Sequence, residues 1–363
     1  METCEALIVG AGPAGSSCAW KLATAGIDVL VIDRAGFPRP KPCAGWITLH
    51  VLRELQIPAE EYAAGHVLEP IRGFRTGVMG GPYRTIRYNS PVSYAIRREE
   101  FDPYLLARSG ARQRLGQPAT HIRRTGSGWI VNGNIRAQVL VGAGGHFCPI
   151  ARELNPHRTG PVVAAQVVEF ELDAGAQAAC TARPDTPEID FCRDLAGYGW
   201  VIRKGPFVNV GFGRVGTDDL PRHVAAFVAH LRASGRLPPG TPAAWGGHAY
   251  LLRQTSRRVS VDDGVVLVGD AAGLAWARSG EGIHPAVVSG LVAADTLIAA
   301  RGDYRLSALV QYTRALEARL GRPRSRAMSA GATPARLRTA IVRRLLATDW
   351  FTRMFVLNPW LRH

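Results

Sequence analysis

The chain is short of acid, has no paired cysteines and carries no evident metal-binding spacing. Against 44 Lys and Arg stand 29 Asp and Glu, a formal charge of +15 at pH 7. Such an imbalance favours anionic partners: phosphorylated cofactors, acidic proteins or a membrane surface. The six cysteines, Cys4, Cys18, Cys43, Cys148, Cys180 and Cys192, form no CxxC pair, and no His/Cys spacing suits zinc. A disulfide framework and a metal site are both excluded on that reading. No apolar run is expected to reach the roughly 18 residues of a membrane-spanning helix. Basic runs interleaved with aromatics are missing outside the C-terminal segment, which argues against nucleic acid as a partner. No basic n-region precedes the first strand, so the expected location is cytoplasmic, without a secretory signal.

What is present is globular. At 363 residues and 47% hydrophobic composition, the chain suits two domains, or one with a large insertion. It opens "EALIVG", "AGPAGSSCAWKLATAG", "DVLVIDR": strand, glycine turn, helix, strand. Gly10, Gly12 and Gly15 make a GxGxxG, and Asp33 closes the second strand. The first glycine permits a tight turn, the second lets a pyrophosphate approach the backbone, and the third allows close helix packing. The acid suits a ribose hydroxyl, and the helix N-terminus offers free N–H groups to phosphate.

Further along, residues 66–97 alternate as strands and "RREEFDPYLLARSG" reads as a helix. Asn132-Gly133 marks a hairpin turn. The stretch "VLVGAGGHFCP" imitates a second fingerprint, but Pro149 and Asn155-Pro156 interrupt the unit that would follow. A separate nicotinamide-nucleotide domain is therefore not expected. From about 160 to 255 long strands dominate, as in a mostly antiparallel sheet that roofs a ligand. "GVVLVGDAAG" then returns as a parallel-type strand, and helices follow at about 282–300 and 305–319. The expected division is a nucleotide domain from 1–65, 98–158 and 259–320, a substrate domain from 66–97 and 159–258, and a basic helical segment over 321–363. The fold class is α/β, Rossmann-type, with an inserted antiparallel sheet domain.

Seven motifs in order span nearly the whole chain: GAGPAG (10–15), KPCAGW (41–46), RxxFD (98–102), VGAGGHFCP (141–149), YGWVIRKG (198–205), GDAAG (269–273) and SGEGI (279–283). The set resembles the para-hydroxybenzoate hydroxylase superfamily of FAD enzymes, and within it the geranylgeranyl-reductase-like group. The resemblance implies that Gly10, Gly12, Pro13, Ala14, Gly15, Asp33 and Arg34 hold the ADP half of FAD. Arg98 is implied beside the phosphates, and Gly269 and Asp270 at the ribityl or pyrophosphate region. Ala44 and the stretch Gly280, Glu281, Gly282 and Ile283 are implied near the isoalloxazine ring. Prenyl reductases have a proline where this chain has Arg203, and that change, with Trp46 after KPCAG, is similar to flavoproteins that modify tryptophan during maturation of peptide-derived quinone cofactors.

Candidates for chemistry are Cys43, Trp46 and His284, with Tyr198 and Trp200 lining an apolar pocket. Each has a plainer alternative. Cys43 and Cys148 suit buried packing as well as redox work, Glu281 suits a helix cap as well as a flavin contact, and the aromatics suit a core. The first expectation is a monooxygenase hydroxylating an aromatic group through a flavin hydroperoxide, with tryptophan in a partner protein among the substrates. The second is reduction of isoprenoid C=C bonds, and the third is a non-catalytic flavoprotein that holds an acidic protein. NAD(P)H is the expected external reductant. The C-terminal "RLRTAIVRRLLATDWFTRMFVLNPWLRH" alternates arginine with apolar residues. Its spacing suits an amphipathic helix on an anionic membrane, on a protein partner or on the body of the molecule.

Overall fold

The computed structural model describes residues 1–157, 160–323 and 335–362. Contacts divide the chain into two compact units. One comprises Met1–Pro40, Glu99–Pro161 and residues 250–323; the other comprises Lys41–Arg98, Val162–Ala249 and residues 335–362.

The first unit is built on a mostly parallel sheet, with Val261–Asp262 at one edge running antiparallel to Val265–Leu267. Its strand order is Val261–Asp262, Val265–Leu267, Ile135–Gly142, Glu2–Val9, Val29–Asp33, Arg112–Leu115. Glu2–Val9 lies between two parallel neighbours, with Ala6 opposite Val29 on one side and Val139 on the other. A strand covered on both faces reads as a continuous apolar run, and Leu7, Ile8, Leu30, Val31 and Leu140 are indeed fully buried. The hairpin predicted at Asn132-Gly133 joins Gly128–Val131 to Ile135–Gly142, with both turn residues at positive φ (54° and 73°). The helix Pro13–Thr24 returns the first strand to the second and packs against the helix Ile283–Ala300. The crossing is tight: a Cβ on Gly290 would lie 2.2 Å from the Ala14 carbonyl oxygen.

That second helix departs from expectation, being 18 residues long with a mean hydropathy of 1.6, enough by length and composition to cross a membrane. It is two-thirds buried here because protein surrounds it, and a helix enclosed in a core is apolar nearly all round. The helix expected over 305–319 is in fact two, Leu306–Leu309 and Gln311–Leu320.

The second unit centres on a mixed sheet ordered Gly246–Leu251, Val162–Glu171, Phe207–Val215, Gly197–Lys204, Glu188–Phe191, Gly73–Val78, Tyr83–Arg87. From Val162–Glu171 through Phe207–Val215 and Gly197–Lys204 to Glu188–Phe191 the pairing is antiparallel, as it is between Gly73–Val78 and Tyr83–Arg87, whereas Glu188–Phe191 and Gly73–Val78 run parallel. The helix Leu220–Ala233 lays Val224, Phe227 and Leu231 onto it. A smaller sheet pairs Trp46–Thr48 and Leu68–Ile71 with Ser93–Ile96. This pairing moves a boundary. Residues 41–65, expected with the nucleotide domain, belong by contacts to the second unit, because their strand is hydrogen-bonded to one already there. The chain likewise re-enters the first unit at Tyr250 rather than near 259.

The C-terminal segment is several short pieces, not one amphipathic helix: Ala335–Leu346, Asp349–Phe351, a wider π-turn over Thr352–Leu357, and Asn358–Leu361. Leu357 and Trp360 sit in the apolar core of the second unit, while Ile341, Leu345, Trp350, Met354 and Phe355 are exposed. Arg336, where the segment was expected to begin acting as a basic arm, lies among side chains outside the description.

Candidate functional site

In the first unit, the loop between Val9 and Pro13 is shaped by glycine. Gly10 has φ of 116°, and a Cβ there would lie 2.4 Å from the Ala143 carbonyl, so the two strand ends meet through backbone. A Cβ on Gly15 would fall 1.9 Å from the Gly10 oxygen. Gly12 differs. Its φ is an ordinary −75°, and the nearest atom to an added Cβ is Arg39 Nη2 at 3.7 Å. Its outward side is open, beside the first-turn N–H groups of the helix Pro13–Thr24, which have no partner inside the helix.

Asp33 is committed locally. Its Oδ2 accepts from the Ala11 N–H at 2.8 Å and its Oδ1 from the Ala35 N–H at 2.9 Å. The carboxylate therefore fixes the glycine loop to the strand end, and only its remaining lone pairs are left for a ribose. Arg34 is exposed. Arg39, which the sequence reading passed over, is ion-paired at 3.3 Å to Asp102 of the RxxFD motif, whose side chain is wholly buried. One buried acid thus holds a guanidinium beside the glycine loop.

The stretch from Gly269 to His284 forms the second wall within this unit. Gly269 has φ of 59°, donates to Ser289 Oγ at 2.9 Å, and leaves an added Cβ 3.1 Å from the Ala14 Cβ. Arg258 donates to the carbonyls of Asp270 and Ala271 at 2.9 and 2.7 Å and to that of His146 at 3.1 Å, clamping two loops together. A Cβ on Gly282 would lie 3.2 Å from Asp270 Oδ1, which places that carboxylate at the helix entrance. Gly280 needs its positive φ (69°) for the turn in which its N–H bonds the Trp276 carbonyl and Trp276 bonds Glu281.

Glu281 lies just before the helix that Ile283 begins, and its Oε1 accepts from the His284 N–H in the first turn at 3.0 Å. Its other oxygen, Oε2, is buried without a hydrogen-bond partner among the described residues. Burial pushes this carboxyl up to about 8, the His284 N–H opposing only in part. His284 itself is buried at the first helical turn. Cys148 is fully buried beneath Gly142 and Gly144, and burial raises its thiol pKa, an environment that suits packing.

The remaining predicted residues lie in the second unit. Arg98, buried, opens the helix Arg98–Arg108. Ala44 and Trp46 pack with Phe74, Tyr198, Trp200 and Trp360 in one aromatic cluster. Trp360 lies 5.8 Å from Trp46 and 5.4 Å from Tyr198, centroid to centroid. The predicted pocket aromatics are therefore together, but a C-terminal tryptophan fills the space between them. The Trp46 indole N–H is buried with no partner among the described residues, whereas that of Trp200 donates to Asn209 at 2.8 Å. Cys43 is half-buried, its Sγ accepting weakly from the Gly45 N–H at 3.4 Å. Arg203, read as a mark of the tryptophan-modifying subgroup, donates to the Gly205 and Gln177 carbonyls and so staples a turn.

Comparison with known proteins adds the decisive observation. A family profile described as an FAD binding domain matches residues 3–319. The chain belongs to that FAD-binding family. Curated relatives include menaquinone reductase of Mycobacterium tuberculosis, 30% identical over 82% of this chain and 77% of that protein. Geranylgeranyl diphosphate reductase of Rhodobacter capsulatus is 28% identical over 81% of this chain and 75% of its own. Among solved structures, a geranylgeranyl bacteriochlorophyll reductase-like protein of Thermoplasma acidophilum superposes with a TM-score of 0.75 at 23% identity, covering 97% of this chain and 90% of that one. A flavin-dependent brominase superposes at 0.69 and 17% identity, over 99% and 92% of the two chains. These two likenesses concern fold alone.

The flavoprotein is thus an FAD-dependent oxidoreductase of the geranylgeranyl-reductase-like kind, and its residues fit the cofactor. The open side of Gly12 is a cradle that a Cβ would fill, Arg39 supplies a cation beside it, and Glu281 Oε2 is a buried polar atom with no hydrogen-bond partner among the described residues. The second unit also holds a buried polar network that the motifs alone did not announce. Lys204, wholly buried, donates to the Ile96 carbonyl at 2.8 Å and pairs with Glu169. Asn209 donates to the Cys43 carbonyl at 2.9 Å and to Glu169 at 3.0 Å. A Cβ on Gly45 would lie 2.1 Å from the Ile96 oxygen. The KPCAGW and YGWVIRKG motifs are therefore joined by one buried polar network. Lysine at the end of an apolar strand was the available signal, since a buried lysine requires a partner.

Proposed function

We propose that this flavoprotein reduces C=C bonds in an isoprenoid chain. The observation that carries the reading is that relatives matched over four-fifths of this chain are named for reducing menaquinone, geranylgeranyl diphosphate and digeranylgeranylglycerophospholipid. Those three molecules share an isoprenoid chain. Hydroxylation of an aromatic group, the first expectation from sequence, has no such support.

Reduced FAD supplies the hydride in such chemistry. The chain's own residues would do the rest. Gly12, the first turn of the helix Pro13–Thr24 and Arg39 would receive the pyrophosphate, with Asp33 holding the loop to shape. Glu281, protonated at neutral pH, would present an O–H at Oε2 rather than a second negative charge beside the ring. The outer edges of Trp46 and Tyr198, both only partly buried, would offer apolar surface to a hydrocarbon chain. Electrons would come from an external donor such as NAD(P)H, because the chain carries one dinucleotide fingerprint and no second.

A polyprenyl substrate resides in a bilayer, and the exposed face of the C-terminal segment supports an encounter there. Trp350 and Phe355 are 67% and 55% exposed, with Arg343, Arg344 and Arg353 exposed nearby in sequence. Apolar side chains flanked by arginine suit an anionic lipid surface.

The test is anaerobic. FAD-loaded protein, reduced with dithionite or NADPH, is incubated with geranylgeranyl diphosphate, and the product is weighed by mass spectrometry. Gain of hydrogen pairs without oxygen is expected. Turnover that requires oxygen and adds an oxygen atom to an aromatic substrate would replace this reading with the monooxygenase one.

A further inference from the structure

A cavity of about 540 Å³ in the second unit has no part in the redox site described above. Its floor follows from strand pairing. Arg75 lies opposite Thr85 on one side and Glu188 on the other, so these three side chains form a row across neighbouring strands on one face. Arg87, two residues beyond Thr85, shares that face by the two-residue strand period. Arg236, placed by the turn after the helix Leu220–Ala233, closes the row from above.

The guanidiniums are anchored from behind. Glu188 Oε2 accepts from Arg75 at 3.1 Å and from Arg236 at 2.6 Å. Both guanidinium carbons also sit on the Tyr83 ring, at 4.7 and 4.5 Å from its centroid. On the rim, Asp185 holds Arg87 at 2.8 Å and Arg183 at 3.4 Å, and the Arg87 contact keeps that carboxyl at about 2, hence ionised. Asp190 is satisfied by Arg236 and His230. Four guanidiniums thus stand against three carboxylates: Arg236 is engaged on every edge by Glu188, Asp190, Tyr83, His230 and Ser234 and serves as a fixed positive charge, while Arg75, Arg87 and Arg183 are each held by an acid on one side. The hydroxyls of Thr85 and Thr181 line the same space. Oriented guanidiniums with hydroxyl donors are the donor set for a phosphoryl group, since each fork offers paired N–H groups to two oxygens.

We propose that this cavity binds a phosphate or diphosphate group, free or as the head of a larger molecule. Its volume exceeds that of the anion alone, which leaves room for an organic substituent. The site is independent of the reductase reading and stands whatever the substrate of the flavin proves to be.

The test uses the full chain saturated with FAD, so that the glycine loop is filled, and reads inorganic pyrophosphate binding by calorimetry while the flavin spectrum reports any displacement. Saturable binding is expected, weakened at least about tenfold in the Arg87→Gln/Arg183→Gln double variant, since paired charge-assisted bonds are lost. Both side chains are exposed on the rim, and the variant's flavin content and melting temperature report its fold. Arg112→Gln, a surface arginine of the other unit, should bind as the wild type does. A parallel arm uses isopentenyl diphosphate. Tighter binding there assigns the site to an esterified head group, and equal binding assigns it to the free anion. Absence of saturable binding of either probe at millimolar concentration, or equal binding in the double variant, overturns the proposal.

Discussion

Gly12 and Gly15 stand three residues apart, yet substitution at each should fail differently. Valine at Gly12 meets only the end of a flexible arginine and an ordinary φ, so the chain should fold and only approach to the loop is obstructed. The melting temperature of the FAD-free protein should stay within a degree or two of wild type, while FAD affinity, read by flavin fluorescence quenching, falls at least about tenfold, the worth of one hydrogen bond or more. Alanine at Gly15 collides with the Gly10 backbone and should cost folding itself, loaded or not. Glu281 offers a pH signature. Its carboxyl is raised to about 8 in the folded chain from an ordinary value of 4.5, so between those values the unfolded chain binds fewer protons than the folded one. Stability from this group is complete below about 4.5 and is lost as pH rises toward 8, with a slope of at most about 1.4 kcal/mol per pH unit. Glu281→Gln keeps an acceptor for the His284 N–H and should abolish that component in denaturant titrations across the range; an unchanged slope would mean the carboxyl is ionised. The fingerprint glycines were legible because their spacing is local. Arg39 and the orphaned Oε2 were not, since each depends on residues or burial that the chain supplies elsewhere.

At the scale of elements, the parallel strands and their crossover helix were readable because a strand covered on both faces has an unbroken apolar run, and because turn residues such as Asn132-Gly133 carry their own φ preference. The insertion point was not. Residues 41–65 follow a proline-rich stretch without any change of composition, and only the pairing of Trp46–Thr48 with Ser93–Ile96 draws them into the second unit. Lost too was the break at Val310, where two short helices replace one. The aromatic cluster was half legible: motif position flagged Trp46, Tyr198 and Trp200, but Trp360 comes from over 150 residues farther on and completes the packing. Trp360→Ala should therefore open a cavity among these rings and cost about 3–5 kcal/mol by chemical denaturation. Trp350→Ala, at an exposed position, should stay within about 0.5 kcal/mol of wild type. Equal costs would refute the division of this segment into a buried and an exposed face.

Across the whole molecule, that division separates two roles a truncation would confuse. Deleting everything from residue 335 removes Leu357 and Trp360 from a core and so cannot report on partner binding by itself. Point changes confined to the exposed face can. Trp350 and Phe355, ring centroids 5.4 Å apart, present a joint apolar surface with arginines close in sequence, and on the membrane-encounter proposal the chain's +15 charge would attract anionic lipid before any apolar contact forms. Trp350→Ser/Phe355→Ser should leave melting temperature and FAD content unchanged while reducing co-sedimentation with vesicles containing phosphatidylglycerol. Because the first attraction is ionic, wild-type binding should also weaken from 0.1 M to 1 M salt, as the screening length falls from about 10 Å to about 3 Å. Reductase turnover of a bilayer-embedded substrate should fall in the double variant while that of a detergent-dispersed one does not. If vesicle binding persists in the double variant, or is indifferent to salt and to anionic lipid, the basic and aromatic face of this segment is not what brings the enzyme to its substrate.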